Sequence, residues 1–315
     1  MSSWSSVAAM LNAHQQMGAT AYLPVWMDLP KGFLFVAGGT GDSGDVEVQA
    51  SPLPPPSPLD PTPPPPWTTV TSMVTPRFGH ALCVGNSGEI SLIYAIGGRS
   101  NPGAKLLSSV EGYNPAPKKP GWITMASMPK PRERAAAAQY NNLIYVAGGS
   151  NGKATDDSSP LKTLEAYNPS KNTWKKLASM HTARDGPAAV TGTDGRVYVI
   201  AGLGDSAYLS SVESYDPSTN KWGKMSSMNT PRGGPAAVLG PDGQIYVLGG
   251  QNGVETLATT EVYNFTTKTW TPGPSMSVGR EFLAAVTGFD GGIYALGGYT
   301  PLLGITDSVE VLFVS

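Results

Sequence analysis

Short apolar runs alternate with turn-forming residues along almost the whole chain. Residues 232–276 show the pattern clearly, with a small-residue run, a Pro-Asp-Gly turn, a second run over 244–250, a third at 260–263 and a last one that starts at Trp270. Each run is about four to eight residues long, rich in β-branched and aromatic residues, and bounded by Gly, Pro, Asn or Asp. The segment therefore predicts four short antiparallel strands, called A, B, C and D below.

The glycine pair that ends strand B recurs in six places. The copies are Gly38-Gly39, Gly97-Gly98, Gly148-Gly149, Ala201-Gly202, Gly249-Gly250 and Gly297-Gly298. Neighbouring copies are 48 to 59 residues apart, and the longer spacings lie toward the N-terminus. A repeat of this length is typical of stacked or radial arrays in which each unit is one small group of strands.

Strands C and D carry markers of their own. Strand C contains Glu-x-Tyr at Glu111/Tyr113, Glu165/Tyr167, Glu213/Tyr215 and Glu261/Tyr263, while Glu47 and Glu310 keep only the acid. Strand D contains Trp and Met six residues apart at Trp67/Met73, Trp122/Met128, Trp174/Met180, Trp222/Met228 and Trp270/Met276. Residues two apart share a strand face, so each Glu and Tyr point the same way. The Trp and Met side chains are expected to pack between neighbouring units.

The sixth D strand is missing after Glu310, and the same Trp-to-Met spacing occurs instead at Trp4 and Met10. We therefore expect residues 1–10 to supply the outer strand of the last unit, which closes a ring and removes an open sheet edge. Strand A, with its alanine-rich composition, is expected nearest the axis. The prediction is a single closed domain over residues 1–315, with units 14–73, 77–128, 132–180, 184–228, 232–276 and 280–315 plus 1–10.

Gly-Gly, Glu-x-Tyr and Trp-x5-Met at a period near 50 closely resemble kelch repeats over essentially all of the chain. The resemblance implies an all-β fold, a six-bladed β-propeller of four-stranded antiparallel blades. Three departures are visible. Ala201 replaces the first Gly of unit four, Leu312 stands at the Tyr position of unit six, and unit one lacks the Tyr after Glu47.

Composition and charge narrow the classes of function. The 38 glycines and 29 prolines recur at fixed intervals, and only 14% of residues are charged, which fits a turn-rich β fold. The net charge of −2 and the lack of a long basic run argue against a nucleic-acid partner. Cys83 is the only cysteine, which excludes an intrachain disulfide. No signal-peptide pattern and no apolar run near about 18 residues occurs, so we expect a cytoplasmic protein without membrane contact.

In an antiparallel A-B-C-D sheet, the B-to-C and D-to-A connections lie on one face, called the mouth face below. An Arg follows each strand-D Met by four residues, and His14 holds this position in unit one. The arginines are Arg77, Arg132, Arg184, Arg232 and Arg280. Guanidinium groups at such a mouth would bind carboxylate or phosphate. In kelch propellers that bind peptides, matching arginines contact acidic groups, so the resemblance implies an interaction module for an acidic peptide or partner protein.

A structural interpretation of the arginines is that each fastens its D-to-A turn to backbone carbonyls. Residues that break the repeat are more informative, because turn geometry does not require them. These are His14, Glu133, Arg134, Asp185 and Glu281. The B-to-C loops of the mouth face also differ between units, and variable loops on a rigid scaffold are where recognition sits. They carry Arg99, Lys105, Lys153, Asp156, Asp157, Tyr208, Gln251, Tyr299, Leu302 and Leu303.

A metal-free enzyme is the second hypothesis. Some kelch propellers act on sugar acids as epimerases, and the same mouth could serve an isomerase, epimerase or cyclase that takes an anionic small molecule. The candidate acid and base groups are His14, Glu133, Asp185 and Glu281. No metal or cofactor is expected, since phosphate-binding, zinc-binding and nucleophile-elbow motifs are absent and the three histidines belong to different units. Cys83 is predicted to be a buried, inert thiol.

Residues 51–66 form a proline-rich insertion in the C-to-D connection of unit one, on the face opposite the mouth. Clustered prolines favour the polyproline II conformation, which SH3 and WW domains bind, so residues 52–66 are a candidate contact for such a domain. A stiff insertion without a binding role is the alternative.

Overall fold

The computed structural model describes residues 2–13, 16–22, 33–39, 48–52, 67–86, 91–100, 105–115, 120–152 and 159–314. Within these ranges every regular element is a β-strand, and the longer strands form four-stranded antiparallel sheets. The predicted class, an all-β propeller of antiparallel four-stranded blades, is confirmed. Five blades are each built from one continuous stretch of chain, and a sixth sheet joins the two ends of the chain.

The first half of the chain begins with β1 (Trp4–Val7) and then forms blades 1 and 2. Blade 1 consists of β2 (Gly18–Tyr22), β3 (Phe33–Ala37), β4 (Val48–Pro52) and β5 (Thr68–Val70). The chain continues with β6 (Arg77–Phe78), β7 (Ala81–Asn86), β8 (Ser91–Ile96), β9 (Arg99–Ser100), β10 (Val110–Asn114) and β11 (Gly121–Met125). Strands β7, β8, β10 and β11 make blade 2, and β6 pairs with β9 beside it.

Blades 3, 4 and 5 follow the same plan without extra strands. Blade 3 consists of β12 (Ala136–Tyr140), β13 (Leu143–Ala147), β14 (Leu164–Asn168) and β15 (Thr173–Lys176). Blade 4 consists of β16 (Ala188–Thr191), β17 (Val197–Ile200), β18 (Val212–Asp216) and β19 (Lys221–Lys224). Blade 5 consists of β20 (Ala236–Leu239), β21 (Ile245–Leu248), β22 (Thr260–Asn264) and β23 (Thr269–Gly273).

The last sheet, blade 6, is shared between the two ends of the chain. Its C-terminal strands are β24 (Ala284–Thr287), β25 (Gly292–Leu296) and β28 (Val309–Phe313), with the short pair β26 (Tyr299–Thr300) and β27 (Gly304–Ile305) in the connection. Strand β1 is its outer strand and pairs antiparallel with β28, with Trp4 opposite Leu312 and Val7 opposite Val309. The prediction that the N-terminal strand completes this blade is confirmed.

The innermost strands form a closed ring around the axis. Strands β2, β7, β12, β16, β20 and β24 each contact the next, and β24 contacts β2. Their small residues permit this approach, as the composition of strand A predicts. Six buried apolar clusters lie at the junctions, each with residues from two neighbouring blades. The hydrophobic core is therefore distributed between the blades, with no single central core.

The strand-D tryptophans tie each blade to the one before it. Each indole N–H donates to a backbone carbonyl of the preceding blade or of the segment that follows it, at 2.7 to 3.3 Å. The donors and acceptors are Trp4 to Pro274, Trp67 to Ala8, Trp122 to Thr71, Trp174 to Ala126, Trp222 to Ala178 and Trp270 to Ser226. The predicted packing between units thus includes a closed circuit of hydrogen bonds, which the sequence did not predict.

The insertion in unit one starts later than predicted. Ser51 and Pro52 belong to β4, where they pair with Leu34 and Phe33 of β3. Pro52 can take part in the ladder because it is the last residue of the strand, where its missing N–H interrupts no further pairing. Residues 53–66, including the predicted contact for an SH3 or WW domain, lie outside the described residues.

Candidate functional site

The mouth face is built from two layers of connections. In blades 3 to 6, isolated antiparallel bridges join the preceding D-to-A connection to the B-to-C connection, as between Glu133 and Ser150 or between Asp185 and Leu203, and the β6–β9 pair does the same in blade 2. The same pairing recurs between Gly233 and Gln251. The prediction that these two classes of connection share one face is therefore confirmed, and their backbones stiffen each other.

The five repeated arginines lie beneath this face and are almost completely buried. Each pairs with the strand-C glutamate of the following blade at 2.5 to 3.1 Å, as Arg77–Glu111, Arg132–Glu165, Arg184–Glu213, Arg232–Glu261 and Arg280–Glu310. Arg232 also donates hydrogen bonds to backbone carbonyls, those of Gly249 at 2.9 Å and Thr259 at 2.7 Å. Burial lowers the pKa of each arginine, and the paired carboxylate opposes that shift.

The paired glutamates hold the D-to-A connection as well. Glu213 accepts backbone N–H bonds from His181 at 2.8 Å and Thr182 at 3.0 Å, in addition to Arg184. Burial raises the pKa of Glu213, but these hydrogen bonds and the Arg184 charge outweigh burial and lower it. The expected arginine-lined binding surface is thus not formed by these five residues, because their guanidinium groups are buried against the following blade. The structural interpretation of the repeat holds instead.

A ring of six backbone hydrogen bonds closes the mouth around the axis. Two residues after each arginine position, a backbone N–H donates to the carbonyl of the equivalent residue in the preceding blade, at 2.6 to 3.1 Å. The members are Gln16, Gly79, Arg134, Gly186, Gly234 and Phe282, and all have φ between 51° and 61°. Glycine suits this left-handed conformation at three of the six positions. The recurring Arg-x-Gly of units two, four and five is the sequence signal for the ring, and it was missed.

The side chains of this ring border a small axial cavity of about 100 Å³. Gln16, Arg134 and Phe282 line it together with the buried His80. Burial, followed by the Arg77 charge, lowers the pKa of His80 to about 3, with the Ala37 carbonyl opposing in part. The cavity is below the roughly 300–1,000 Å³ of small-molecule sites.

The unit-specific charges on blades 2 to 4 pair with one another. Arg99 binds Glu133 at 2.6 Å, and Arg134 makes two hydrogen bonds to Asp185 at 2.9 and 2.7 Å while also lying 3.5 Å from Glu133. Burial alone would lower the pKa of Arg134, but Asp185 and Glu133 outweigh burial and raise that pKa. These four groups form a balanced network, and 25% of the Arg134 side chain stays exposed.

Glu281 differs from the other predicted acids of the mouth. Its carboxylate accepts a hydrogen bond from the Gln251 side-chain amide at 2.7 Å, and no arginine or lysine of the described residues pairs with it. Burial raises the pKa of Glu281, and the Gln251 bond opposes the shift. Neither Glu281, Glu133 nor Asp185 lines the axial cavity.

The predicted residues His14, Lys153, Asp156 and Asp157 lie outside the described residues. Among those that are described, no cluster of three His, Cys, Asp or Glu side chains is placed to hold a metal ion. Cys83 is buried as predicted, and burial raises the pKa of its thiol to about 12. None of the described segments is a helix able to span a bilayer.

Comparison with known families agrees with this architecture. The family model for the KLHDC2/KLHL20/DRC7 Kelch-repeats domain matches residues 65–230, which is more than half of the chain. The chain belongs to the kelch-repeat family. A second model, for the Kelch motif, matches residues 232–277.

Several kelch proteins are similar to parts of the chain. Kelch-like protein 41a of Danio rerio is 32% identical over 183 residues, which is 56% of this chain and 27% of that protein. Kelch-like ECH-associated protein 1B of Danio rerio is 34% identical over 111 residues, 35% of this chain and 18% of that protein. Alpha-scruin of Limulus polyphemus is 34% identical over 137 residues, 43% of this chain and 14% of that protein. The matches therefore span about a quarter or less of these relatives.

A solved structure, that of YjhT, shares the fold across the whole molecule. The two superpose with a TM-score of 0.74, covering 98% of this chain and 97% of YjhT, at 17% identity. At that identity the likeness concerns the fold alone. The kelch propeller is therefore the scaffold on which the unit-specific residues of the mouth face are displayed.

Proposed function

We propose that this kelch propeller is a protein-interaction module that holds its partner against the mouth face. Support comes from the kelch-like relatives, one of which is named for its association with ECH. The observation that carries the proposal is a difference in location between the repeated residues and the unit-specific ones. The repeated arginines, glutamates and tryptophans make their polar contacts inside the propeller. The exposed residues of the mouth face, in contrast, are specific to single units.

Exposed apolar side chains are concentrated on that face. Of the eight large apolar residues that are exposed within the described ranges, five lie in its connections: Leu11, Val74, Val254, Leu302 and Leu303. Exposed apolar residues grouped on one face of a soluble protein mark interaction surfaces. The rigid ring below them keeps the cost of ordering these loops on binding low.

The acid-binding form of the proposal rests on Arg134. It is the ring member that carries a cation, its side chain is 25% exposed, and it borders the axial cavity. An acidic group of a partner would compete with Asp185 for this guanidinium. The partner's carboxylate would contact none of the five repeated arginines, because those are buried.

The test is affinity capture from a lysate of the source organism with the full chain as bait. The variant Val254→Ser/Leu302→Ser/Leu303→Ser should lose the captured partner, because it removes exposed apolar contacts of the mouth face. The matched control Phe289→Ser/Phe313→Ser removes two apolar residues that are also exposed but lie on the other face, and it should keep the partner. Both variants should melt within a few degrees of wild type, because the replaced side chains are exposed.

Unchanged capture by the mouth variant, or loss by the control alone, would contradict the proposal. Arg134→Gln tests the acid-binding form separately, with Arg196→Gln on the opposite face as its control. If an acidic partner is bound at the mouth, only Arg134→Gln weakens capture.

A further inference from the structure

The carboxylate of Glu281 is a buried charge on the mouth face that pairs with no arginine or lysine of the described residues. Glu281 is 9% exposed, and the hydrogen bond from Gln251 is its polar side-chain contact. Its backbone is fixed, since the N–H and carbonyl of Glu281 both pair with Tyr299 at 3.0 and 2.9 Å. A buried carboxylate without a cation is costly, and residues that retain one commonly do so for binding.

The two equivalent acids show what the fold does when an acid there is structural. Glu133 is matched by Arg99 and Arg134, and Asp185 by Arg134. Gly233 holds the same position in blade 5 and carries no side chain. Turn geometry therefore requires no acid here, and the acids that do occur are otherwise neutralised within the chain.

Apolar and aromatic residues lie on the same face as Glu281, in the B-to-C connections of blades 4 to 6. The ring of Tyr208 lies over the backbone of Gly233 and Gly253, and the Glu281 charge reaches it, since burial and then Glu281 raise the pKa of Tyr208. Val254 follows Gln251 by three residues and is 92% exposed. Leu302 and Leu303, at the tip of the β26–β27 hairpin that starts at Tyr299, are 85% and 63% exposed.

We propose that this part of the mouth face, formed by Tyr208, Gln251, Val254, Glu281, Leu302 and Leu303, binds a lysine or arginine side chain of a partner protein that is flanked by apolar residues. The Glu281 carboxylate pairs with the cation, and the exposed apolar residues cover its aliphatic stem and its neighbours. This inference rests on the proposed function, and it gives the partner the opposite charge to the one that the sequence predicts.

Charge complementarity favours this occupant over an acidic one. A partner carboxylate at this position would meet a second carboxylate with no described cation to separate them, and like charges in a partly desolvated site repel strongly. A basic side chain restores the pairing that Glu133 and Asp185 already have. Arg99, Glu133, Arg134 and Asp185 of blades 2 to 4 balance one another, whereas Glu281 has no cationic partner among the described residues.

The test begins with a phage-displayed library of random 12-residue peptides selected on the immobilised full chain. Enriched peptides are then synthesised with a fluorophore and titrated by anisotropy against wild type, Glu281→Gln and Glu255→Gln. Glutamine keeps the shape of Glu281 and an acceptor for Gln251, so the variant should fold as wild type. Glu255 is an exposed acid in the same B-to-C loop as Val254 and provides a matched control.

The expected peptides carry Lys or Arg beside apolar residues. Glu281→Gln should weaken them at least about tenfold, and so should replacement of the peptide's basic residue by Gln, without a further loss when both are combined. Glu255→Gln should weaken them by less than about threefold, because exposed charges contribute little.

Two results would overturn the inference, and they have different consequences for the proposed function. If the enriched peptides lack basic residues or ignore Glu281→Gln, but weaken with Leu302→Ser/Leu303→Ser, the basic-residue site is wrong while the mouth-face module stands. If no enriched peptide responds to any variant of the mouth face, both proposals fail.

Discussion

At the scale of single residues, the repeated arginine shows what position along a chain does and does not determine. Spacing after the strand-D Met correctly identifies one arginine for each of five units. It does not determine whether the arginine side chain is buried, because a side chain at a turn can point outward or fold inward onto the following blade. The deciding partner is a glutamate that lies 29 to 34 residues later, as the separations in each ion pair show.

Removing one of these arginines should be far more destabilising than removing an exposed one. Arg232→Ala leaves the buried carboxylate of Glu261 and two carbonyls without their donor, and breaking such a pair costs about 3–5 kcal/mol. Arg196→Ala, which removes a 41% exposed arginine from its pair with Asp216, should cost less than about 1 kcal/mol. Urea unfolding of both variants gives the comparison, and similar small losses would refute a structural role for Arg232.

His80 should make folding stability depend on pH. Its pKa is about 3 in the folded chain and about 6.5 when unfolded, so the unfolded state binds the proton first as the pH falls. Stability is then complete above about pH 7 and is lost progressively below it, by about 1.4 kcal/mol between pH 8 and pH 5.5.

The pH effect of His80 can be isolated by substitution. His80→Gln should reduce the difference in the free energy of unfolding between pH 8 and pH 5.5, whatever its effect at a single pH. His181→Gln, at a histidine with a 50% exposed side chain, serves as the control. An unchanged pH difference in His80→Gln would show that the imidazole takes up its proton equally in both states.

At the scale of elements, strand A to strand D could be predicted almost completely from sequence, because each carries a local marker. Strand C of unit one was harder to delimit. Its marker Glu47 lies outside the described residues, and β4 continues through Ser51 and Pro52 into what looks like low-complexity sequence. The ring of backbone bonds at the mouth was not predicted, since three of its six members are Gln16, Arg134 and Phe282, where glycine would have been the signal.

Strand β1 provides the sharpest test at this scale. Deleting residues 2–10 removes the ladder to β28, the buried Met10 and the Trp4 indole bond, and it leaves the Trp67 indole without its acceptor. We expect a loss of roughly 5 kcal/mol or more, because truncating a buried Met alone costs about 2–5 kcal/mol.

A length-matched variant separates loss of the strand from loss of chain. Trp4→Ser/Met10→Ser keeps the backbone of β1 while removing its two anchoring side chains, and it should show an intermediate melting temperature. Melting of the deletion variant at the wild-type temperature would mean that β1 contributes nothing to closure.

At the scale of the whole molecule, three circuits run around the same axis: contacting inner strands, backbone bonds at the mouth and indole bonds near the rim. The first follows from the small residues of strand A, and closure itself was predictable from the spacing of Trp4 and Met10. The other two depend on contacts between blades that no single unit encodes. The same is true of the charge balance at the mouth, which emerges only when Arg99, Glu133, Arg134 and Asp185 meet.

The pairing of β1 with β28 also determines how the propeller responds to mechanical force. Trp4 lies opposite Leu312, so the chain enters β1 and leaves β28 at the same end of an antiparallel ladder. Tension between the two ends would load its hydrogen bonds one after another, as in opening a zipper, and would not shear them together. Blade 6 would therefore yield first and at low force, while blades 1 to 5, which lie outside the line of pull until then, keep their sheets.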